Sequence, residues 1–99
     1  MGFIETHKKQ IQRLCENHKV RTLYAFGSVN SKKFSKKSDV DLVVDFKIED
    51  PIEYTDNYFD LKFELEKIFD RQVDLLESKA IKNPYLKESI DRTKVLVYG

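Results

Sequence analysis

The octapeptide DVDLVVDF, residues 39–46, restricts the fold more than any other part of the chain. Its even positions, Val40, Leu42, Val44 and Phe46, are all apolar, and its odd positions include Asp39, Asp41 and Asp45. In a strand, residues i and i+2 share a face. The segment therefore reads as a strand with one buried face and three carboxylates on the other. Aspartate is a poor strand former, and two on one face repel each other. Such a strand has to lie in a sheet covered on one side, with its acidic side left for water or a cation.

The rest of the chain supplies the partners. Ile4, His7, Ile11, Leu14, Cys15 and His18 recur at helical spacing and predict an amphipathic helix over 3–18. VRTLYAF (20–26) reads as a strand that ends at Gly27. Residues 28–37 are polar and read as a loop. TDNYFDLKFELEKIFD (55–70) predicts a long helix, with Pro51 as a break before it and Thr55 or Asp56 as its cap. QVDLLES (72–78), a helix over about 84–92 and KVLVY (94–98) complete the order. This alternation predicts one small α+β domain over residues 1–99, a sheet of about four strands with helices packed on one face.

Composition narrows the function classes. The chain is 99 residues long with a net charge of +1, which argues neither for nor against a nucleic-acid partner; none is expected. One cysteine excludes a disulfide framework and a cysteine zinc site. No apolar run approaches the roughly 20 residues of a membrane span, and MGFIETHKKQ carries no signal-peptide pattern. A cytoplasmic protein with no membrane partner is the expectation.

The acidic strand gains meaning from its neighbours. Gly27 is the one glycine between the second residue and the last, and Ser28 follows it at once. Glycine permits a sharp turn and close approach of a ligand to the backbone. A turn of this kind aims N–H groups at an anion, and the Ser28 hydroxyl adds a donor. Asp39 and Asp41 suit Mg²⁺, which prefers one or two carboxylates plus substrate phosphates. Asp74, flanked by Val73 and Leu75, joins the cluster if its strand lies beside strand 39–46. Three carboxylates near a phosphate cradle suit a site with two cations. Asp74 is then placed to accept the proton of an attacking hydroxyl. Lys32 and Lys33, in a loop that also holds Lys36 and Lys37, are candidates to reach a triphosphate. A solvated charged loop is the competing reading.

Gly27-Ser28, ten residues, then Asp39-Val40-Asp41-Leu42-Val43-Val44 resembles the signature of nucleotidyltransferases with the DNA polymerase β fold. Over nearly its whole length, VDLLES and the closing VLVYG included, the chain is similar to the minimal nucleotidyltransferases, the MNT antitoxins paired with HEPN toxins. The resemblance implies a mixed sheet, Mg²⁺ (two ions), ATP as substrate and transfer of AMP to a tyrosine of a HEPN-type toxin with loss of pyrophosphate. It assigns the phosphate turn to Gly27 and Ser28, the metal ligands to Asp39 and Asp41, and the third carboxylate to Asp74. Many relatives continue Gly-Ser-x-Ala-Arg-Gly. Here Ser31 stands where arginine is usual and Lys32 where glycine is usual, so a bidentate phosphate clamp is lost.

Two other functions compete with an active protein adenylyltransferase. One is an antitoxin that neutralises its partner by complex formation alone, which the Ser31 and Lys32 departures favour. The other is transfer to a small molecule or nucleic acid with help from a partner subunit or a second copy. Among the remaining residues, His7 and His18 read as packing or capping groups and Cys15 as a buried small hydrophobe. Asp45 lies over 10 Å along the strand from Asp41 by the rise of about 3.4 Å per residue, outside the metal site.

Overall fold

The computed structural model describes residues 3–27 and 38–99. Strands β1 (Val20–Phe26), β2 (Val40–Phe46), β3 (Val73–Glu77) and β4 (Val95–Tyr98) form one sheet in the order β3-β2-β1-β4. β1 pairs antiparallel with both β2 and β4, and β2 runs parallel to β3, so the sheet is mixed. The helices are α1 (Phe3–Thr6), α2 (Lys8–Asn17), α3 (Pro51–Phe69) and α4 (Pro84–Thr93).

The period-two pattern of β2 decides the layers. Val40, Leu42, Val44 and Phe46 are buried in the main core with Leu23 and Ala25 of β1 and Val73 and Leu75 of β3. Ile11, Leu14 and Cys15 of α2 and Leu61, Leu65 and Phe69 of α3 close over them. The expected helical layer on one face is therefore present. The opposite face is not free of helix. Val43 interrupts the run of carboxylates on that side, and it forms a small second cluster with Phe26 and Ile90, the one buried residue of α4.

Element ends shift for local reasons. The expected helix over 3–18 is divided at His7, whose ring packs edge-on against both Phe3 and Phe69. α3 begins four residues before the predicted start. Asp50, not Thr55 or Asp56, is the cap and accepts from the Glu53 N–H at 2.9 Å, with Pro51 at the first helical position. Thr55 instead donates to the Pro51 carbonyl. His18 caps α2, its Nδ1 lying 2.8 Å from the Leu14 carbonyl oxygen. Burial pushes the Cys15 thiol up to about 12, in keeping with a core role.

β3 is an edge strand, and a bare edge invites pairing with other chains. α3 covers it with side chains. Glu66 accepts from the Val73 N–H at 3.1 Å, and the Tyr58 hydroxyl donates to the Leu75 carbonyl. Burial and the nearby Glu77 push Tyr54 up to about 12, and Tyr58 is raised by burial first and then by Glu77 and Asp74, so both stay phenols and keep donating. Tyr58→Phe should cost about 1–2 kcal/mol by leaving a part-buried carbonyl unpaired. Hydrogen exchange should then quicken in β3 before it quickens in β1.

Candidate functional site

Three rows of side chains cross the sheet on the face away from α2 and α3. In the first, Asp41 of β2 sits between Phe26 of β1 and Asp74 of β3. In the second, Val43 sits between Tyr24 and Leu76, and in the third Asp45 faces Thr22. Parallel pairing of β2 with β3 thus brings Asp74 beside Asp41, as the sequence requires for an acidic cluster. Asp39 precedes β2 on the same alternation, and Asp39 and Asp74 are exposed while Asp41 is half-buried. Asp45 is elsewhere occupied, its Oδ2 lying 3.2 Å from Arg21 Nε.

Gly27 closes the first row from the β1 side. Its φ is +72°, and a Cβ placed there would lie 2.7 Å from Asp41 Oδ2. Any other residue would therefore both strain the backbone and collide with the carboxylate. The sequence explains this glycine by approach of a phosphate; the structure adds approach of Asp41 itself. Ser28, Lys32 and Lys33 lie outside the described residues.

Burial raises the Asp41 carboxyl, and repulsion from Asp74 and then from Asp39 raises it further. A cation beside it would reverse that shift. Among the described residues, no three histidine, cysteine or carboxylate groups converge closely enough to hold a metal ion. The donor set nevertheless fits Mg²⁺, which takes only one or two carboxylates when substrate phosphates and water complete its oxygen shell. Asp39 and Asp41 meet that need from one strand face.

Beyond Asp74 a cavity of about 300 Å³ opens at the outer flank of β3. Asp39, Asp74, Gln72 and Val73 line one side, and Lys62 and Glu66 of α3 line the other. The sequence alone does not place Lys62 or Glu66 beside the carboxylates. Their four-residue spacing looks like any solvated helix face, and only the packing of α3 against β3 brings them beside the carboxylates. A smaller cavity of about 140 Å³ lies under α4, between Tyr24, Val43 and Ile90, and none of the three carboxylates lines it. Among the described residues, no helix is long and apolar enough to cross a membrane.

Comparison with known proteins places the fold. The family model described as Polymerase beta, Nucleotidyltransferase matches residues 9–99. A "putative protein adenylyltransferase" of Methanocaldococcus jannaschii is 36% identical over 95 residues, covering 96% of this chain and 91% of the relative. The solved structure of a "putative minimal nucleotidyltransferase" superposes with a TM-score of 0.74 at 26% identity, covering 96% of this chain and 95% of that one. A chain in the solved complex of a tri-AMPylated Shewanella oneidensis HEPN toxin with an MNT antitoxin gives a TM-score of 0.67 over 98% of this chain and 73% of that one. At 20% identity that last likeness is one of fold.

Two outcomes test the site's electrostatics and packing. Gly27→Ala should lower stability by at least about 1 kcal/mol through its left-handed backbone alone, which corresponds to a fall in Tm of roughly 4–8 °C for a domain this small. It should also turn the Asp41 carboxylate aside. For Asp41 the folded-state pKa is raised above the usual 3.8. Its contribution to stability is therefore fully present below that value and is lost as pH rises through the folded-state value. Asp41→Asn should raise the Tm near neutral pH in chelator, and the gain should vanish below about pH 4. Thermal melts across that range, with and without Mg²⁺, check both signs.

Proposed function

The chain belongs to the polymerase β nucleotidyltransferase family and is a nucleotidyltransferase, and on that premise we propose that it transfers AMP from ATP, with Mg²⁺, to a tyrosine hydroxyl of a HEPN-type partner protein and so acts as that protein's antitoxin. The observation that carries the reading is the single row in which Gly27 abuts Asp41 and Asp41 faces Asp74. In the proposed transfer Gly27 serves as the phosphate turn, Asp41 as a metal ligand and Asp74 as the proton acceptor, in that order across the row. The name of the archaeal relative and the AMPylated toxin beside an MNT antitoxin in the Shewanella complex support the acceptor and the nucleotide.

The chemistry is an in-line displacement at the α-phosphorus. The acceptor hydroxyl oxygen forms a bond to that phosphorus, and the bond from the phosphorus to the bridging oxygen of the β-phosphate breaks. Pyrophosphate leaves, and the hydroxyl proton passes to the Asp74 carboxylate. Asp39 and Asp41 would hold Mg²⁺, which supplies neutralising charge to the triphosphate oxygens when bound. Gly27 leaves its backbone open to the distal phosphates, and Ser28, Lys32 and Lys33, which follow it directly in the chain, are the residues the sequence nominates for them. Positioning and charge stabilisation account for most of the rate expected of such a site.

The experiment is incubation with ATP labelled at the α-phosphate, Mg²⁺ and a candidate HEPN-type partner protein. Label should appear on the partner, and chelator or the Asp39→Asn/Asp41→Asn double variant should reduce it by at least about a thousandfold, the scale of losing a principal charge-stabilising group. A double variant that still neutralises the partner without labelling it would instead establish an antitoxin that acts by binding. The Ser31 and Lys32 departures from the family pattern are the feature that favours that second reading.

A further inference from the structure

We propose that the cavity on the outer flank of β3 is the acceptor subsite, and that Lys62 selects acceptor segments carrying a carboxylate beside the hydroxyl. The inference rests on the nucleotidyl-transfer reading above.

Sheet order fixes the direction. An in-line displacement sets leaving group, phosphorus and nucleophile along one line. The strands run β1, β2, β3 across the site. Gly27 ends at the β1 side, Asp41 is central and Asp74 is on β3. Pyrophosphate at the Gly27 side therefore puts the nucleophile beyond Asp74, where the cavity of about 300 Å³ opens. Along the strands past Val43, Ile90 of α4 packs on Val43 and Phe26, and the smaller cavity there is lined by none of the three carboxylates.

Charge then identifies what the cavity takes. Lys62 is half-buried on the cavity wall, yet it makes no hydrogen bond or ion pair among the described residues. Its neighbours on α3 differ. Lys67 pairs with Glu64 at 3.3 Å, and Glu66, which follows Lys62 by one turn, is engaged with the Val73 N–H. An acceptor seated in the cavity strips water from the Lys62 ammonium. Burying that charge unpaired is costly, whereas an incoming carboxylate satisfies it. Asp39 and Asp74 do not serve, since Asp39 would hold Mg²⁺ and Asp74 would receive the proton, and Glu66 is bound to the Val73 N–H. A segment with an acidic side chain next to its tyrosine is thus favoured over one with a basic side chain.

The test uses two peptides that differ only in having Glu or Lys beside a tyrosine, and α,β-methylene ATP with Mg²⁺ as a nucleotide that cannot react. Binding is measured by calorimetry for the wild type, Lys62→Met and Lys62→Arg. The wild type loaded with the analogue should bind the Glu peptide about tenfold more tightly than the Lys peptide, the scale of one charge-assisted hydrogen bond. Lys62→Met should abolish that preference and leave the analogue's affinity unchanged, and Lys62→Arg should keep most of the preference. A preference that survives in Lys62→Met overturns the proposal. So does analogue binding that weakens in Lys62→Met, which would assign Lys62 to the nucleotide. Absence of peptide binding by the analogue-loaded wild type, or binding of a single-stranded oligonucleotide that Lys62→Met removes while the Glu peptide is ignored, also overturns it. Failure of the wild type to bind the analogue is a different result: it sinks the nucleotidyl-transfer reading, and the inference with it.

Discussion

Strand β2 meets two opposed demands within seven residues, and the rest of the fold arranges itself around them. Its even side chains have to leave water, so α2 and α3 cover that face and bury Leu42 and Val44 completely. Its odd side chains bring Asp41 into a row with Asp74, where burial and mutual repulsion disfavour ionisation. A carboxylate held under such conditions is costly to stability. It makes chemical sense where a cation and a polyphosphate complete the charge balance.

The backbone contributes as much to the site as the carboxylates do. At Gly27 the chain leaves β1 in a left-handed conformation directly against Asp41 Oδ2. One atom more on that residue would displace the carboxylate. The absence of a side chain at this position therefore gives Asp41 the room it occupies. On the other side of the site, α3 has three tasks. Leu61, Leu65 and Phe69 fill the core, Tyr58 and Glu66 satisfy the edge of β3, and Lys62 faces the carboxylates across a polar cavity.

Much of this was legible in the chain because period two is so clear in DVDLVVDF. Strand β1 falls on residues 20–26 as its composition indicates, and Asp74 lands beside Asp41 because Val73 and Leu75 fix which face it takes. The misses have local causes. Pro51 reads as a break in the sequence, but proline favours the first turn of a helix, and Asp50 before it supplies the cap. The division at His7 does not show in hydrophobic spacing, since it follows from ring contacts with Phe3 and Phe69. Phe59 and Phe63 recur at helical spacing, yet they stack on each other at the surface. α4 crosses to the carboxylate face because Val43 and Phe26 leave an apolar strip there.

The sequence by itself determined the residue types of the candidate site, the strand that carries Asp41 with Asp39 just before it, and the glycine that follows the preceding strand. These follow from local rules, since alternation and backbone freedom act over a few residues. Tertiary structure alone decided which strand lies beside which, how near Gly27 comes to Asp41, and that Lys62 faces Asp39 and Asp74 from a helix more than ten residues away in sequence. Those distances are set by how the two faces of one sheet are packed, and no local pattern encodes the packing of α3 against the edge of β3.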